Sequence, residues 1–281
     1  MITREEKNKE VINEINKEKA INISKKILHI AGIIMLIFIL FFAYIYFIGV
    51  KGLFTNEFII KDTSIPKSFH GVKILHFSDL LYGSTIKESE IKTLLEEIKL
   101  VNPDLVFFTG NMIYEKSNLS EEDINTLNDF FKEIPYTIGK YAIKGDLDNQ
   151  SFNLILENTN FTILNNEIQK VYNNDESYIN IVGLSNKIDI IQKKDDNYTI
   201  TLINNYDNYK EYNIKSNLVF AGHNLGGEIR LFNIPLLGNN QYNNLYYEEN
   251  NKTYISNGLG SIHHMRFMNH PSINVYRLYN K

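Results

Sequence analysis

Three short apolar runs, each cut off by small or polar residues at its carboxyl end, constrain this 281-residue chain more than any other feature. Ile74-Leu-His-Phe77 stops at Ser78-Asp79, Asp104-Leu-Val-Phe-Phe-Thr109 stops at Gly110-Asn111, and Tyr141-Ala-Ile143 runs into Gly145-Asp146-Leu147-Asp148. Runs this short and this apolar have the pattern of strands buried on both faces, as in a parallel sheet. Between the first two, Ile91, Leu94, Leu95 and Ile98 recur at helical spacing from Glu88 to Leu100. Before the third, Ser120-Glu-Glu-Asp opens a helix with the residues of an N-cap. Strand and helix therefore alternate, which places the polar loops along one rim of a parallel sheet, where sites in α/β proteins form.

After a short helix expected over Ser151–Asn158, the chain turns mostly to strands: Phe161–Leu164, Tyr178–Gly183, Tyr198–Ile203, Leu218–Ala221, Ile229–Phe232, Thr253–Ser256 and Ile273–Leu278. Their number requires a second sheet packed on the first. One of them belongs to the stretch Leu218-Val-Phe-Ala-Gly-His-Asn-Leu-Gly-Gly-Glu-Ile-Arg230. A histidine at the carboxyl end of an apolar strand, followed by paired glycines that let backbone approach closely, is the layout of a metal or phosphate site. It is equally the layout of a hairpin with a surface histidine, and the residues alone leave both open.

The amino-terminal quarter reads differently. Residues 1–26 mix lysine and glutamate as a solvated, charged tail. Ile27 to Val50 then runs without a charge, long enough to span a bilayer and longer than the apolar region of a secretory signal. Lys17, Lys19, Lys25 and Lys26 precede it, against Lys51 and Lys61 after it. That asymmetry puts the amino terminus in the cytoplasm and the bulk of the chain outside the cell membrane. Residues 51–72, with Pro66 and Gly71, read as a connector in which Phe58-Ile-Ile60 pairs as an edge strand. The net charge of −4 offers no basic footprint for nucleic acid. The absence of cysteine excludes disulfides and thiolate metal sites.

The segment Gly222-His223-Asn-Leu225-Gly226-Gly227 resembles the Gly-His-x-His-Gly-Gly motif of calcineurin-like metallophosphoesterases, in particular a membrane-anchored bacterial branch, and the three strand ends resemble that family's other motifs. The likeness runs from about Lys73 to Leu278, within a domain set at residues 73–281. It implies a four-layer αββα sandwich of two mixed sheets, helices outside, with the site where strand ends meet. It also implies chemistry by two metal ions about 3.5–4 Å apart that activate water.

Carried over residue by residue, the family's ligands are largely replaced. Its Asp-x-His falls on Asp79 and Leu81, and its bridging Gly-Asp on Gly110-Asn111. Gly-Asn-His-Asp falls on Gly145-Asp146-Leu147-Asp148, so the position of the acid that protonates the leaving group is Leu147, which has no proton to give. The isolated family histidine aligns with Asn205, or with Asn204, and the last motif keeps His223 but has Leu225. The first metal site would retain Asp79 alone. The second would have Asn111, Asp146, Asn205 and His223, a set that suits at most one weakly bound hard divalent ion. Asp148 and Arg266 are the candidate ligand-binding residues, a guanidinium presenting a planar fork to phosphate.

Each residue also has a plainer use. Asp79 and Asp148 suit loop capping, His223 suits a bond to a backbone carbonyl, and His263-His264 suit an exposed loop. The expectation is a membrane-anchored pseudoenzyme that binds a phosphorylated or lipid-linked ligand or a protein partner. The alternative is a residual one-metal phosphoesterase.

Overall fold

The computed structural model describes residues 4–185, 196–212, 214–232, 234–237, 245–248 and 251–281. Two compact units divide the chain, Met1–Ile48 and Gly49–Lys281. The first is a single helix, α1 (Arg4–Ala43), continued by a π-helical turn over Tyr44–Ile48. It is long and apolar enough to cross a membrane.

The second unit holds β1 (Phe54–Asp62), β2 (Lys73–Phe77), α2 (Glu88–Val101), β3 (Leu105–Phe108), α3 (Glu121–Glu133), β4 (Gly139–Ala142), α4 (Ser151–Leu156) and β5 (Phe161–Ile163). It continues with β6 (Glu167–Tyr172), β7 (Tyr178–Leu184), β8 (Thr199–Ile203), a 3-10 turn over Tyr206–Glu211, and β9 (Leu218–Ala221). It ends with β10 (Ile229–Leu231), β11 (Ile234–Leu237), β12 (Leu245–Glu248), β13 (Asn251–Ile255) and β14 (Ser272–Asn280).

One six-stranded sheet has the order β1-β14-β2-β3-β4-β5, and a second the order β12-β13-β9-β8-β7-β6. In the first, β2 to β5 are parallel, β14 is antiparallel to β2, and β1 is parallel to β14. In the second, β13, β9, β8 and β7 are parallel, with β12 and β6 antiparallel at the edges. Both sheets are mixed, as the family resemblance implies.

The period of two explains how short strands serve two cores at once. Leu75 and Phe77 of β2, with Val106 and Phe108 of β3, pack on Ile91, Leu94 and Ile98 of α2 and on Leu127, Phe130 and Phe131 of α3. Their neighbours Ile74, Leu105 and Phe107 face the other way, onto Ile181, Ile200, Leu202, Leu218 and Phe220 of the second sheet. Ser120 caps α3 by accepting from Asp123 N at 3.1 Å, and the Asp123 carboxylate accepts the Ser120 N–H at 2.9 Å, which closes a capping box.

Outside the second sheet, the 3-10 turn packs Tyr206 and Tyr209, with Tyr212, on Val182, Val219 and Ile255. One expectation shifts. The stretch taken as a connector also belongs to the domain, because β1 pairs along its whole length with β14 at the sheet edge. Phe54, opposite Ser272, sits two residues beyond the Asn274–His76 pair, at the same rim as the carboxyl ends of β2, β3 and β4.

Candidate functional site

The rim residues meet in one hydrogen-bonded cluster. Asp79, after β2, is buried and accepts from Ser78 Oγ at 2.6 Å, from Asn111 Nδ2 at 2.8 Å and from the His223 N–H at 2.9 Å. Burial pushes its carboxyl above the usual range, opposed by the Ser78 and Asn111 hydrogen bonds and the nearby His223. Asn111, after β3, faces two ways, since its Oδ1 accepts the Leu147 N–H at 3.0 Å. Asp146, after β4, donates its backbone N–H to Asn204 Oδ1 at 3.1 Å, and its carboxylate lies 3.7 Å from His223 Nδ1. That Nδ1 is buried and makes no hydrogen bond.

Close approach of these loops depends on glycine. A Cβ on Gly145 would stand 2.4 Å from both Asn111 N and Asn111 Oδ1, and one on Gly222 would stand 2.6 Å from Ser78 Oγ. Asp79, Leu81, Asn111, His223 and Leu225 all have positive φ, between 45° and 70°. Asparagine and aspartate tolerate that conformation, whereas leucine pays roughly 1–2 kcal/mol for it. Leu81 and Leu225 nevertheless adopt it, and both are buried. They pack beneath the Gly258-Leu-Gly260 segment: a Cβ on Gly260 would meet Leu81 Cβ at 2.6 Å, and one on Gly258 would meet Leu225 Cδ2 at 2.6 Å.

The sequence expectations fare unequally. Asp79, Asn111, Asp146 and His223 come together. Asn205 does not: its side chain accepts from Asp207 N at 3.0 Å and caps the 3-10 turn. Asn204, its neighbour, takes the place at the cluster, with its Nδ2 on Thr109 O at 2.6 Å. The period of two at the end of β8 turns adjacent residues to opposite sides, so a one-residue ambiguity decides which one reaches the site.

Asp148 caps a loop, its two oxygens accepting from Gly145 N, Asn111 N and Met112 N at 2.9, 2.8 and 2.6 Å. Arg266 is fully buried, and its guanidinium donates to the carbonyls of Asn257, Gly260 and Asn269. A guanidinium enclosed in this way does not reach an anion at the surface, so Arg266 ties down the Gly258–Arg266 loop instead. Leu147 is the residue at the family's acid position, held by its N–H on Asn111.

Glu228 went unnoticed in the sequence, though it directly follows the paired glycines. It is buried and accepts from Ser261 Oγ at 2.5 Å, from Ile262 N at 2.6 Å and from His263 N, and it pairs with His263 Nδ1. An acid set between the paired glycines and the start of β10 is the signal that points to it. His263 is thereby tied to the loop by more than simple exposure.

Beside the cluster, a cleft of about 500 Å³ opens between Lys144, Asp146, Asp148, Asn153, Leu164, Asn165 and Ser185. Asp146 belongs both to the strand-end cluster and, with its side chain 30% exposed, to this opening.

No protein-family model matches the chain. Curated relatives do. It is 26% identical over 244 residues to the uncharacterized metallophosphoesterase YkuE of Bacillus subtilis, covering 80% of this chain and 85% of that one. It is 26% identical over 265 residues to the uncharacterized metallophosphoesterase Cj0846 of Campylobacter jejuni, covering 87% and 67%. It is 24% identical over 299 residues to the UDP-2,3-diacylglucosamine pyrophosphatase LpxG of Chlamydia muridarum, covering 77% and 87%.

Proposed function

The chain belongs to the calcineurin-like metallophosphoesterase family, and on that premise we propose that it is a membrane-anchored pseudoenzyme, which holds the fold and the strand-end loops but acts by binding. The observation that carries this reading is the conformation of Leu81 and Leu225. Their backbones keep a left-handed turn that leucine disfavours, at two positions where the family places imidazoles. Strained backbone persists where the surroundings fix it. Loops shaped for ligand side chains have been retained, and apolar side chains now fill them.

The donor set does not fit a two-ion centre. Asn111 turns an N–H toward Asp79, where a bridging carboxylate would present a lone pair. Two of the imidazole positions are buried hydrocarbon. At the second position the Asp146 carboxylate and His223 Nδ1 remain within 3.7 Å of one another. Two donors suit one weakly held, largely hydrated divalent ion. That pair favours the second reading, a residual one-metal phosphoesterase, although Leu147 deprives it of the general acid.

The ligand of the binding reading is a phosphorylated or lipid-linked molecule, or a protein partner, met at the membrane surface. LpxG, by its name, acts on a diacylated sugar nucleotide, and a ligand of that kind would suit a rim site beside a bilayer. The helix over residues 27–50 anchors the chain, with the amino terminus in the cytoplasm and the domain outside.

Hydrolysis separates the two readings. The full chain in detergent, assayed on a generic phosphodiester and phosphomonoester with Mn²⁺ or Mg²⁺, should match a chelator-treated control. Metal-dependent turnover that disappears in Asp146→Ala overturns the pseudoenzyme and establishes the one-metal enzyme.

A further inference from the structure

We propose that the β10–β11 hairpin is a membrane-docking element that inserts its apolar tip into the bilayer to which α1 anchors the chain. This rests on the membrane-anchor reading above. Leu231, Phe232, Ile234 and Leu236 are 47%, 73%, 66% and 61% exposed, and Met268 beside them is 44% exposed. The hairpin forms a two-stranded sheet separate from both large sheets. A lone hairpin is marginal in water, and large aliphatic and aromatic side chains clustered at its tip require a partner. From Leu231 to Tyr247 the sequence carries no charge. Insertion into hydrocarbon would therefore desolvate no ionised group in that stretch.

Connectivity within the domain identifies the partner as lipid. Arg230 N donates to Phe267 O at 2.9 Å at the hairpin base, and Phe54 N donates to Pro271 O at 2.9 Å. Phe267 and Pro271 are four residues apart, so the hairpin base lies within about 14 Å of chain reach of those contacts to Phe54. Phe54 opens β1, six residues beyond Ile48, the last residue of the apolar helical stretch, and six residues reach at most about 21 Å. Within the domain, the hairpin base is therefore tied through Phe267–Pro271 to Phe54, in the strand by which the chain enters from the apolar helix. Phe54 itself is 50% exposed. In the first sheet, β14 alone separates β1 from β2, so Asp79 at the end of β2 is two strand spacings away, about 10 Å. Docking there would hold the strand-end cluster against the lipid surface.

The chain contains no cysteine, so single-cysteine variants can be labelled cleanly. Phe232→Cys and, independently, Leu236→Cys would carry an environment-sensitive fluorophore in the full chain, placed in nanodiscs of phosphatidylcholine and phosphatidylglycerol. Leu36→Cys reports on the helix, and Leu100→Cys, 80% exposed on α2, reports on the domain face away from the rim. Matched thermal melts confirm that each labelled chain is folded. The expected result is blue-shifted emission at positions 232 and 236, quenched by lipids brominated about 5–10 Å below the headgroups, with position 100 unquenched. Quenching at 36 but at neither hairpin position overturns docking and leaves the anchor standing. Absence of quenching at 36 overturns both. Disulfide-linked dimers through Phe232→Cys, with no lipid quenching there, assign the hairpin to a second copy and overturn the lipid proposal.

Discussion

Asn111→Asp, a change of one atom type at the centre of the cluster, would restore the family's carboxylate and should destabilise the chain. Asn111 Nδ2 donates to Asp79 Oδ1 at 2.8 Å, and both residues are about 1% exposed. Two carboxylates at that separation repel by about 6 kcal/mol at an effective dielectric constant of 20. The folded chain escapes by holding one proton between them, so the cost is capped by protonating an ordinary carboxylate at pH 7, about 4 kcal/mol. The shared proton raises one folded-state pKa above its unfolded value. Stability of the variant is therefore wild-type-like near pH 4 and falls by about 1.4 kcal/mol per pH unit above that, until the cap is reached. For a domain of this size the loss corresponds to roughly 8–16 °C in melting temperature at pH 7. Thermal unfolding of the full chain in detergent, with chelator present, at pH 4.5, 6 and 7.5, measures it. A variant that melts with the wild type at every pH would refute the proposed contact between Asn111 and Asp79. A loss independent of pH would mean that packing, rather than charge, was disturbed.

Burial pushes Asp148 up to about 6 against four backbone donors, Gly145, Met112, Asn111 and Ile113. The folded chain then keeps a proton that the unfolded chain releases near pH 4, and this contribution of about 3 kcal/mol is present below pH 4 and lost as pH rises through 6. Comparing wild-type melting with that of Asp148→Asn across pH 4–7 should show a shallower slope in the variant, the raised Asp79 carboxyl supplying part of what remains. Arg266→Met should lower stability by roughly 1–3 kcal/mol for each buried carbonyl left without a donor, while a phosphate-bearing ligand, if one is found, binds the folded variant unchanged. Restoring Leu81→His, Asn111→Asp, Asp146→Asn, Asn204→His and Leu225→His together should produce a chain that retains divalent metal after dialysis, and adding Leu147→His should then yield some hydrolysis. Metal analysis of a folded multiple variant that finds no more ion than in the parent would mean the loops no longer aim those side chains.

The legible parts of this chain were those where local pattern and tertiary role agree. The β2, β3 and β4 runs could be read because each ends where hydrophobicity ends, and the Ser120 cap because its chemistry is local. Strands β6 and β12 lay hidden since both are edge strands whose sequences, Glu-Ile-Gln-Lys-Val-Tyr and Leu-Tyr-Tyr-Glu, follow no strict alternation, and β11 carries Pro235. Asn204 and Asn205 could not be separated by composition, because what distinguishes them is which side of β8 each faces. Arg266 misled for a related reason. Its sequence neighbourhood of glycines suggests an open loop, whereas those same glycines let the backbone close over the guanidinium and present carbonyls to it.

The placement of β14 between β1 and β2 bears on how the domain is made. The strand that leaves the ribosome soon after the apolar helix has no neighbour in the sheet until the final nine-residue strand arrives. At about 5–20 residues per second, β1 waits roughly 10–40 s for it. During that interval an edge strand next to an apolar segment is open to other chains, and loss of β14 would leave it so permanently. A truncation that removes β14 therefore strikes at the seam of the sheet, and quality control that senses an unpaired β1 would read out whether synthesis had passed β14.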